Sequence, residues 1–200
     1  MHPTVYRVFD EVCAPAGIQG PVLEVGAVPG GDGLLNMACL RHVPERVGLN
    51  LEGADCGEYQ IIQGNANEMT AFADGRFAAV LCNATLEHDR AFWKTVAEIH
   101  RVTAPGGLIV IGVPSYSGMG LVDIAAPGSL LRRIIQYYSK GTYADVMLAS
   151  AVTLGVHNYP GDYYRFSEQA AREVFMDGLT AVQTRLVMTP PRVIAWGRKP

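Results

Sequence analysis

The chain has no closely spaced cysteines: Cys13, Cys39, Cys56 and Cys82 lie far apart in 200 residues, with no C-x-x-C pair. That argues against a disulfide-stapled scaffold or a zinc knuckle and leads us to expect reduced thiols in a cytoplasmic protein. Cys39 and Cys82 stand in apolar runs, where a small buried hydrophobe fits. Charge is also scarce, with 18% Asp, Glu, Lys and Arg and a formal net charge of -3. Binders of the phosphate backbone usually carry excess positive charge, so nucleic acid is disfavoured as a partner. No window reaches the ~18 apolar residues of a membrane span, and the stretch from Met1 to Arg7 lacks the apolar segment of a signal peptide. There are no repeats or low-complexity tracts. What is present, 49% apolar residues with 22 Gly and 12 Pro, is an ordered globular composition. One domain over 1–200 is expected at this length.

Apolar spacing predicts helices over 4–14, 32–42, 90–103 and about 167–176, and strands over 21–26, 46–50, 59–64, 77–82 and 108–113. Pro105-Gly106-Gly107 stops the third of those helices. Only about eight residues separate the second and third strands, so the crossover between them is cut to a turn or two. Strands alternating with helices mean a parallel sheet covered on both faces. The tail differs: Thr180 to Met188 and Arg192 to Arg198, joined by Thr189-Pro190-Pro191, predict an antiparallel hairpin. The expected fold is α/β and Rossmann-like, a seven-stranded mostly parallel sheet with a C-terminal antiparallel hairpin. Residues 115–157 fit no strand–helix step, and in 43 residues carry five charges: Asp123, Arg132, Arg133, Lys140 and Asp145. The stretch is therefore expected to bury the sheet edge, the site as a lid, or another subunit in a homodimer interface, within an insertion at about 115–166.

Ligands of open parallel sheets bind at the carboxyl ends of the strands. The first such turn reads Leu23-Glu24-Val25-Gly26-Ala27-Val28-Pro29-Gly30-Gly31. It departs from the dinucleotide pattern G-x-G-x-x-G at Val28, and no Gly-Lys-Ser/Thr follows to make a P-loop. Four further segments stand in order: Gly64-Asn65-Ala66, the strand 77–82 followed by Leu86-Glu87-His88, Glu98-Ile99-His100-Arg101-Val102, and Pro105-Gly106-Gly107. Together these resemble the class I S-adenosylmethionine-dependent methyltransferases, in particular the small UbiE/UbiG-like group, over nearly the whole chain. The resemblance implies that Glu24, Gly26 and Gly30 face the methionine end of the cofactor, that Asn50 sits at the ribose and Asn65-Ala66 at the adenine, and that Asn83 completes the set. Asn50 and Asn65 stand where the family usually has carboxylates; a neutral amide is expected to weaken cofactor binding without abolishing it. As turn residues after strands, both asparagines also have a purely structural explanation.

A methyltransferase must hold the acceptor atom ~3 Å from the methyl carbon and take a proton if that atom is a hydroxyl. Of five histidines, His88 and His157 are the candidates for this catalytic role, imidazole ordinarily titrating near ~6.5. His100 reads as a solvated helix position. In quinone O-methyltransferases and RNA 2′-O-ribose methyltransferases resembling this chain, a Glu-x-x-Glu-His motif at this point holds a divalent metal. Here the first glutamate is Ala84, so the resemblance implies a tentative set of Glu87, His88 and His157 for Mg2+ or another divalent ion, chelating a diol. The alternative is that Glu-His merely shapes the site. Tyr159, Asp162 and Tyr163 suit a sugar ring by stacking and hydrogen bonding, or else they pack the last helix, with Asp162 paired to Arg165. Arg132-Arg133 reads as a solvated basic pair. The leading expectation is O-methylation of a small molecule, most of all a carbohydrate hydroxyl, as in the methylmannose-type sugar 1-O-methyltransferases. A quinone or phenol acceptor, an RNA 2′-O acceptor and a non-catalytic cofactor-binding subunit are the alternatives.

Overall fold

The structure is a computed structural model that describes residues 1–31, 33–118, 130, 137, 151–155 and 161–200. Helix α1 (Pro3–Cys13) is capped by His2, whose Nδ1 accepts from the Thr4 N–H. Strands β1 (Val22–Val25), β2 (Arg46–Asn50), β3 (Ala54–Asp55), β4 (Gln60–Gln63) and β5 (Phe77–Asn83) follow. Then come α2 (Phe92–Val102) and β6 (Thr103–Pro114). A short antiparallel pair, β7 (Tyr116–Gly118) with β8 (Ala151–Thr153), stands apart from the main sheet. The chain closes with α3 (Glu168–Ala170), a π-wound turn over Ala171–Phe175, β9 (Thr180–Val187) and β10 (Arg192–Arg198).

The main sheet runs β3-β4-β2-β1-β5-β6-β10-β9. From β4 to β6 every pairing is parallel, while β10 and β9 add antiparallel at one edge and β3 at the other. The mixed α/β architecture and the terminal hairpin are as the sequence predicts. The count is eight strands rather than seven, because the short link after β2 folds back as the two-residue β3. Period-two alternation sends successive residues of the central strands to opposite faces. Leu23, Val80, Ile109 and Ile111 pack with Val96 and Ile99 of α2 and with Phe166 and Phe175. On the other face, Val22, Leu81 and Val110 pack with Val5, Val8 and Phe9 of α1 and with Leu34 and Leu35.

The helix expected over 32–42 is replaced by two 3-10 turns, Leu34–Asn36 and Ala38–Leu40. The Leu35 carbonyl, which an α-helix would offer to residue 39, instead accepts from Arg46 Nη1 at 2.8 Å. Met37 between the turns has ψ 138° and drives its side chain fully into the core. His100 is also not simply solvated: its Nε2 is 2.7 Å from the Phe175 carbonyl, tying α2 to the turn before β9. Cys82 is buried as expected, whereas Cys39 is only half-buried and Cys13 takes the deeper place. Arg132 and Arg133 lie outside the described residues.

Phe175 is fully buried and meets Phe166 edge-on at 5.0 Å. Phe175→Ala is expected to lower unfolding free energy by about 3–5 kcal/mol, read as a fall in the urea midpoint. A loss below ~1 kcal/mol would place this ring outside the cooperative core.

Candidate functional site

The carboxyl ends of β4, β2, β1 and β5 stand side by side, and the sequence-predicted cofactor residues line that edge. At the end of β1 the chain turns sharply at Gly26, φ 80°, whose N–H donates to the Leu49 carbonyl at 2.8 Å. A Cβ on Gly26 would lie 2.0 Å from Thr85 Oγ1, so glycine is required here for the close approach of two loops. Gly30, φ 134°, has open space around it, and its carbonyl accepts from Asn36 Nδ2 at 3.0 Å. Glu24 is 5% exposed, and its Oε2 accepts from the Leu35 N–H at 3.2 Å. Burial pushes its carboxyl up to about 7, against the pull of the Leu35 and Leu34 N–H groups. This glutamate therefore clasps the turn that follows Gly33.

Asn50 at the end of β2 donates from Nδ2 to the Ala27 carbonyl at 2.6 Å and accepts at Oδ1 from the Leu51 N–H at 2.7 Å. It ties the β1 and β2 loops together, a task an aspartate could not perform through that donor. Asn65 Oδ1 accepts from the Asn67 N–H at 2.9 Å, which makes Asn65 a turn residue, with Ala66 half-buried against the core. The Gly64 N–H donates to the Asn50 carbonyl at 2.8 Å, so the two asparagine loops are neighbours. Val28 and Leu51, apolar yet 51% and 70% exposed, stand on these same loops.

The segment after β5 carries the other candidates. Asn83 has a buried Oδ1 with no hydrogen-bond donor. Ala84, where the resemblance would put a glutamate, sits at φ 53°, a conformation that costs a residue with a side chain of its own. Leu86–His88 form a 3-10 turn. Glu87 is 0% exposed, and neither carboxylate oxygen has a hydrogen-bond partner among the described residues. Burial pushes its carboxyl up to about 7; its own N–H and the guanidinium groups of Arg192 and Arg165 oppose the shift, while Asp162 adds to it. His88 is half-buried beside it, its N–H on the Thr85 carbonyl at 3.0 Å.

Residues 161–166 lie across this edge. The Tyr163 N–H donates to the Glu87 carbonyl at 2.8 Å, and the Phe166 N–H to the Pro114 carbonyl at 3.0 Å. Asp162 is held by both Nη groups of Arg165, whose Nε and Nη2 also reach the Leu154 and Gly155 carbonyls. Tyr163 accepts from Arg90 Nε at 2.9 Å, and its ring lies under that guanidinium at 5.2 Å. Asp162 and Tyr163 are thus committed to holding this segment down. His157 and Tyr159 lie outside the described residues. Among the described residues no group of three His, Cys, Asp or Glu could hold a metal ion. Glu87, the first ligand of the expected set, faces two guanidinium groups, which oppose a divalent cation. Of that set only Glu87 and His88 fall among the described residues.

Sequence reasoning missed Thr85, Leu51 and Arg192. A threonine three residues before His88 and an arginine opening the last strand carry no motif of their own; only their packing gives them a place. Asn67 was missed as well: its Nδ2 bridges Asp89 Oδ2 at 2.6 Å and Thr95 Oγ1 at 2.8 Å, joining the β4 loop to the start of α2.

The sequence of residues 32–111 matches a family model described as a methyltransferase domain. No curated protein matches the chain. Among solved structures it is similar to the 1,6-didemethyltoxoflavin-N1-methyltransferase of Burkholderia thailandensis, at 18% identity and a TM-score of 0.64, over 98% of this chain and 78% of that one. It is also similar to a Haloferax volcanii putative methyltransferase in complex with the Trm112 activator, at 14% identity and TM-score 0.60, over 99% and 95% of the two chains. For phosphoethanolamine N-methyltransferase 2 of Haemonchus contortus the values are 14%, 0.64, 99% and 53%, so this chain spans about half of that enzyme. At these identities the likeness shows the fold, and the methyltransferase family model covers the segment from the β1 loop to β6, under half of the chain.

Because the folded protein holds the Glu87 proton more tightly than the unfolded chain, the contribution of Glu87 to stability is fully present below pH ~4.5 and is lost as pH rises to about 7. At roughly 1.4 kcal/mol per unit, the wild type should lose about 3 kcal/mol relative to Glu87→Gln between pH 4.5 and 8, read from urea midpoints at each pH. A difference that stays flat would mean Glu87 is solvated.

Proposed function

We propose that this S-adenosylmethionine-dependent methyltransferase binds its cofactor along the carboxyl edge of β4, β2, β1 and β5 and methylates a hydroxyl of a small-molecule acceptor held over the end of β5. A carbohydrate hydroxyl is the first acceptor class. The observation that carries the reading is the pair of buried acceptors at the end of β5, Asn83 Oδ1 and the Glu87 carboxylate, both without a hydrogen-bond donor among the described residues. Buried polar groups are rarely left so unless a ligand or water completes them.

The edge fits the cofactor in chemistry as well as in place. Leu51 and Val28 offer exposed apolar contact for a flat base, open space surrounds Gly30, and Asn50 retains unused hydrogen-bonding capacity toward a ribose. S-adenosylmethionine, when bound, supplies an electrophilic methyl group on a sulfonium. The protein's own contribution is positional. Asn83 Oδ1 orients what lies against the end of β5. The segment 161–166, hydrogen-bonded to the Glu87 and Pro114 carbonyls, covers the acceptor side. His88 takes the hydroxyl proton. Fixing acceptor and methyl together in a near-attack geometry supplies most of the acceleration expected of such a site. A quinone-like acceptor is the second reading, favoured by the low charge of residues 115–157.

Labelled methyl from S-adenosylmethionine should appear on members of a panel of sugars and catechols and should survive EDTA. Loss of transfer with EDTA would overturn the metal-free reading, and transfer to RNA alone would overturn the small-molecule one. Leu51→Ser should weaken S-adenosylhomocysteine binding roughly tenfold, the worth of one apolar side chain, with an unchanged apo melting temperature. Unchanged affinity would remove the β2 loop from the cofactor site.

A further inference from the structure

Asn67 stands two residues after Asn65 on the β4 loop, and its side chain crosses from that loop to the segment before α2. Its Nδ2 donates to Asp89 Oδ2 at 2.6 Å and to Thr95 Oγ1 at 2.8 Å, and the Thr95 hydroxyl itself donates to Asp89 Oδ2 at 2.7 Å. The other carboxylate oxygen, Asp89 Oδ1, accepts from the Ala91 N–H at 2.8 Å. Thr95 is fully buried and the contacts around it are partly so, which leaves water a poor competitor for them. An amide N–H on a carboxylate is charge-assisted and stronger than a neutral hydrogen bond.

Both ends of this tie belong to the site. On the β4 side, the Asn67 N–H donates to Asn65 Oδ1 at 2.9 Å, and the Gly64 N–H to the Asn50 carbonyl, so Asn67 is built into the loop assigned to the adenine. On the other side, Asp89 closes the turn that carries Glu87 and His88, its N–H on the Leu86 carbonyl at 3.3 Å. That turn holds the segment 161–166. The Tyr163 N–H donates to the Glu87 carbonyl at 2.8 Å, Arg90 Nε to the Tyr163 hydroxyl at 2.9 Å, and the Tyr164 hydroxyl to the Arg90 carbonyl at 3.0 Å. Hydrogen bonds and short stretches of chain thus lead from the adenine loop, through Asn67 and Asp89, to the cover of the acceptor side.

We propose that Asn67 is a positioning residue that couples the two halves of the site. A base packed on Asn65-Ala66 restrains the loop that carries Asn67, and through Asp89 that restraint orders the segment 161–166, so cofactor binds first and acceptor second. This rests on the assignment of the carboxyl edge to the cofactor. Ordering a loop costs conformational entropy, and a ligand that has already ordered it raises the affinity of the next. By linkage the coupling is reciprocal.

The test is hydrogen exchange of the full chain, read by mass spectrometry on peptides that include residues 64–67 and 161–166, without ligand and saturated with S-adenosylhomocysteine. In the wild type the ligand should slow exchange in both regions, at 161–166 by about fivefold or more. In Asn67→Ala the slowing at 64–67 should remain, while that at 161–166 should shrink to less than about twofold. Asn67→Asp sets carboxylate against carboxylate at unchanged size and should do the same. If one of these variants does not fold, the other carries the test. The swap Asn67→Asp/Asp89→Asn restores an amide on a carboxylate with donor and acceptor exchanged, and should return the wild-type slowing. A tie that served stability alone would raise both the free and the bound exchange rates in the single variants and leave their ratio unchanged. That result overturns the proposal, as does a folded swap that fails to restore the slowing. Titration calorimetry separates the two claims. No binding of S-adenosylhomocysteine, or binding that leaves 64–67 unprotected, sinks the cofactor assignment and the coupling with it. Binding that protects 64–67 and leaves 161–166 unchanged in the wild type sinks the coupling alone.

Discussion

The approach of the β1 loop to the β5 loop sets the geometry on which the rest of the site depends. Gly26 and Thr85 touch so closely that no side chain fits between them, and the Thr85 hydroxyl lies 3.3 Å from the Val25 carbonyl and 3.2 Å from the Asn83 carbonyl. That contact places the glycine-rich loop and the segment 83–88 on one edge. Central parallel strands, buried on both faces, make the edge rigid, while the loops above it are free to vary in chemistry. Gly112 serves the same purpose one strand over, where a Cβ would lie 2.7 Å from Asn83 Oδ1 and 3.0 Å from the Phe9 ring. Small residues at strand ends are what bring polar atoms of different loops into one place.

Two buried carboxylates sit on this edge, and their surroundings give them different work. Glu24 is answered by a backbone N–H and organises its own loop, so its burial is partly compensated. Glu87 receives no hydrogen bond on its carboxylate and is balanced only through space by guanidinium groups. The first arrangement is complete without a ligand. The second is not, and free energy held in such a way is typical of binding sites rather than of cores. The segment 161–166 pairs its own charges, Asp162 with Arg165, and Tyr163 takes the Arg90 guanidinium by hydrogen bond and ring face, which holds the loop over the polar edge.

The fold was legible because burial leaves its signature in local pattern: β5 and β6 are apolar on both faces and could only be central strands, and α2 repeats its apolar residues at helical spacing. The 32–42 segment has the same spacing and was misread, since the carbonyl of Leu35 goes to Arg46 from another strand, a partner that no local window contains. Gly26, Asn50, Asn65, Asn83 and Glu87-His88 stand where the strand pattern puts them, at the carboxyl ends of their strands. Roles were harder to see. Asn50 and Asn65 occupy their side chains with neighbouring loops, and Asp162 answers Arg165 before it can answer a substrate.

By itself the sequence determined the order of strands and helices and the parallel core with its terminal hairpin, because each follows from periodicity, glycine placement and the handedness of strand–helix–strand units. Only the tertiary structure decided which polar atoms on that edge are satisfied and which are left over. Hydrogen-bond partners such as Gly64 with Asn50, or Glu87 with Tyr163, are far apart in the chain or set by loops with no regular pattern. Arg192, which makes no hydrogen bond among the described residues, is the clearest case, since its place opposite the end of β6 is a matter of strand register.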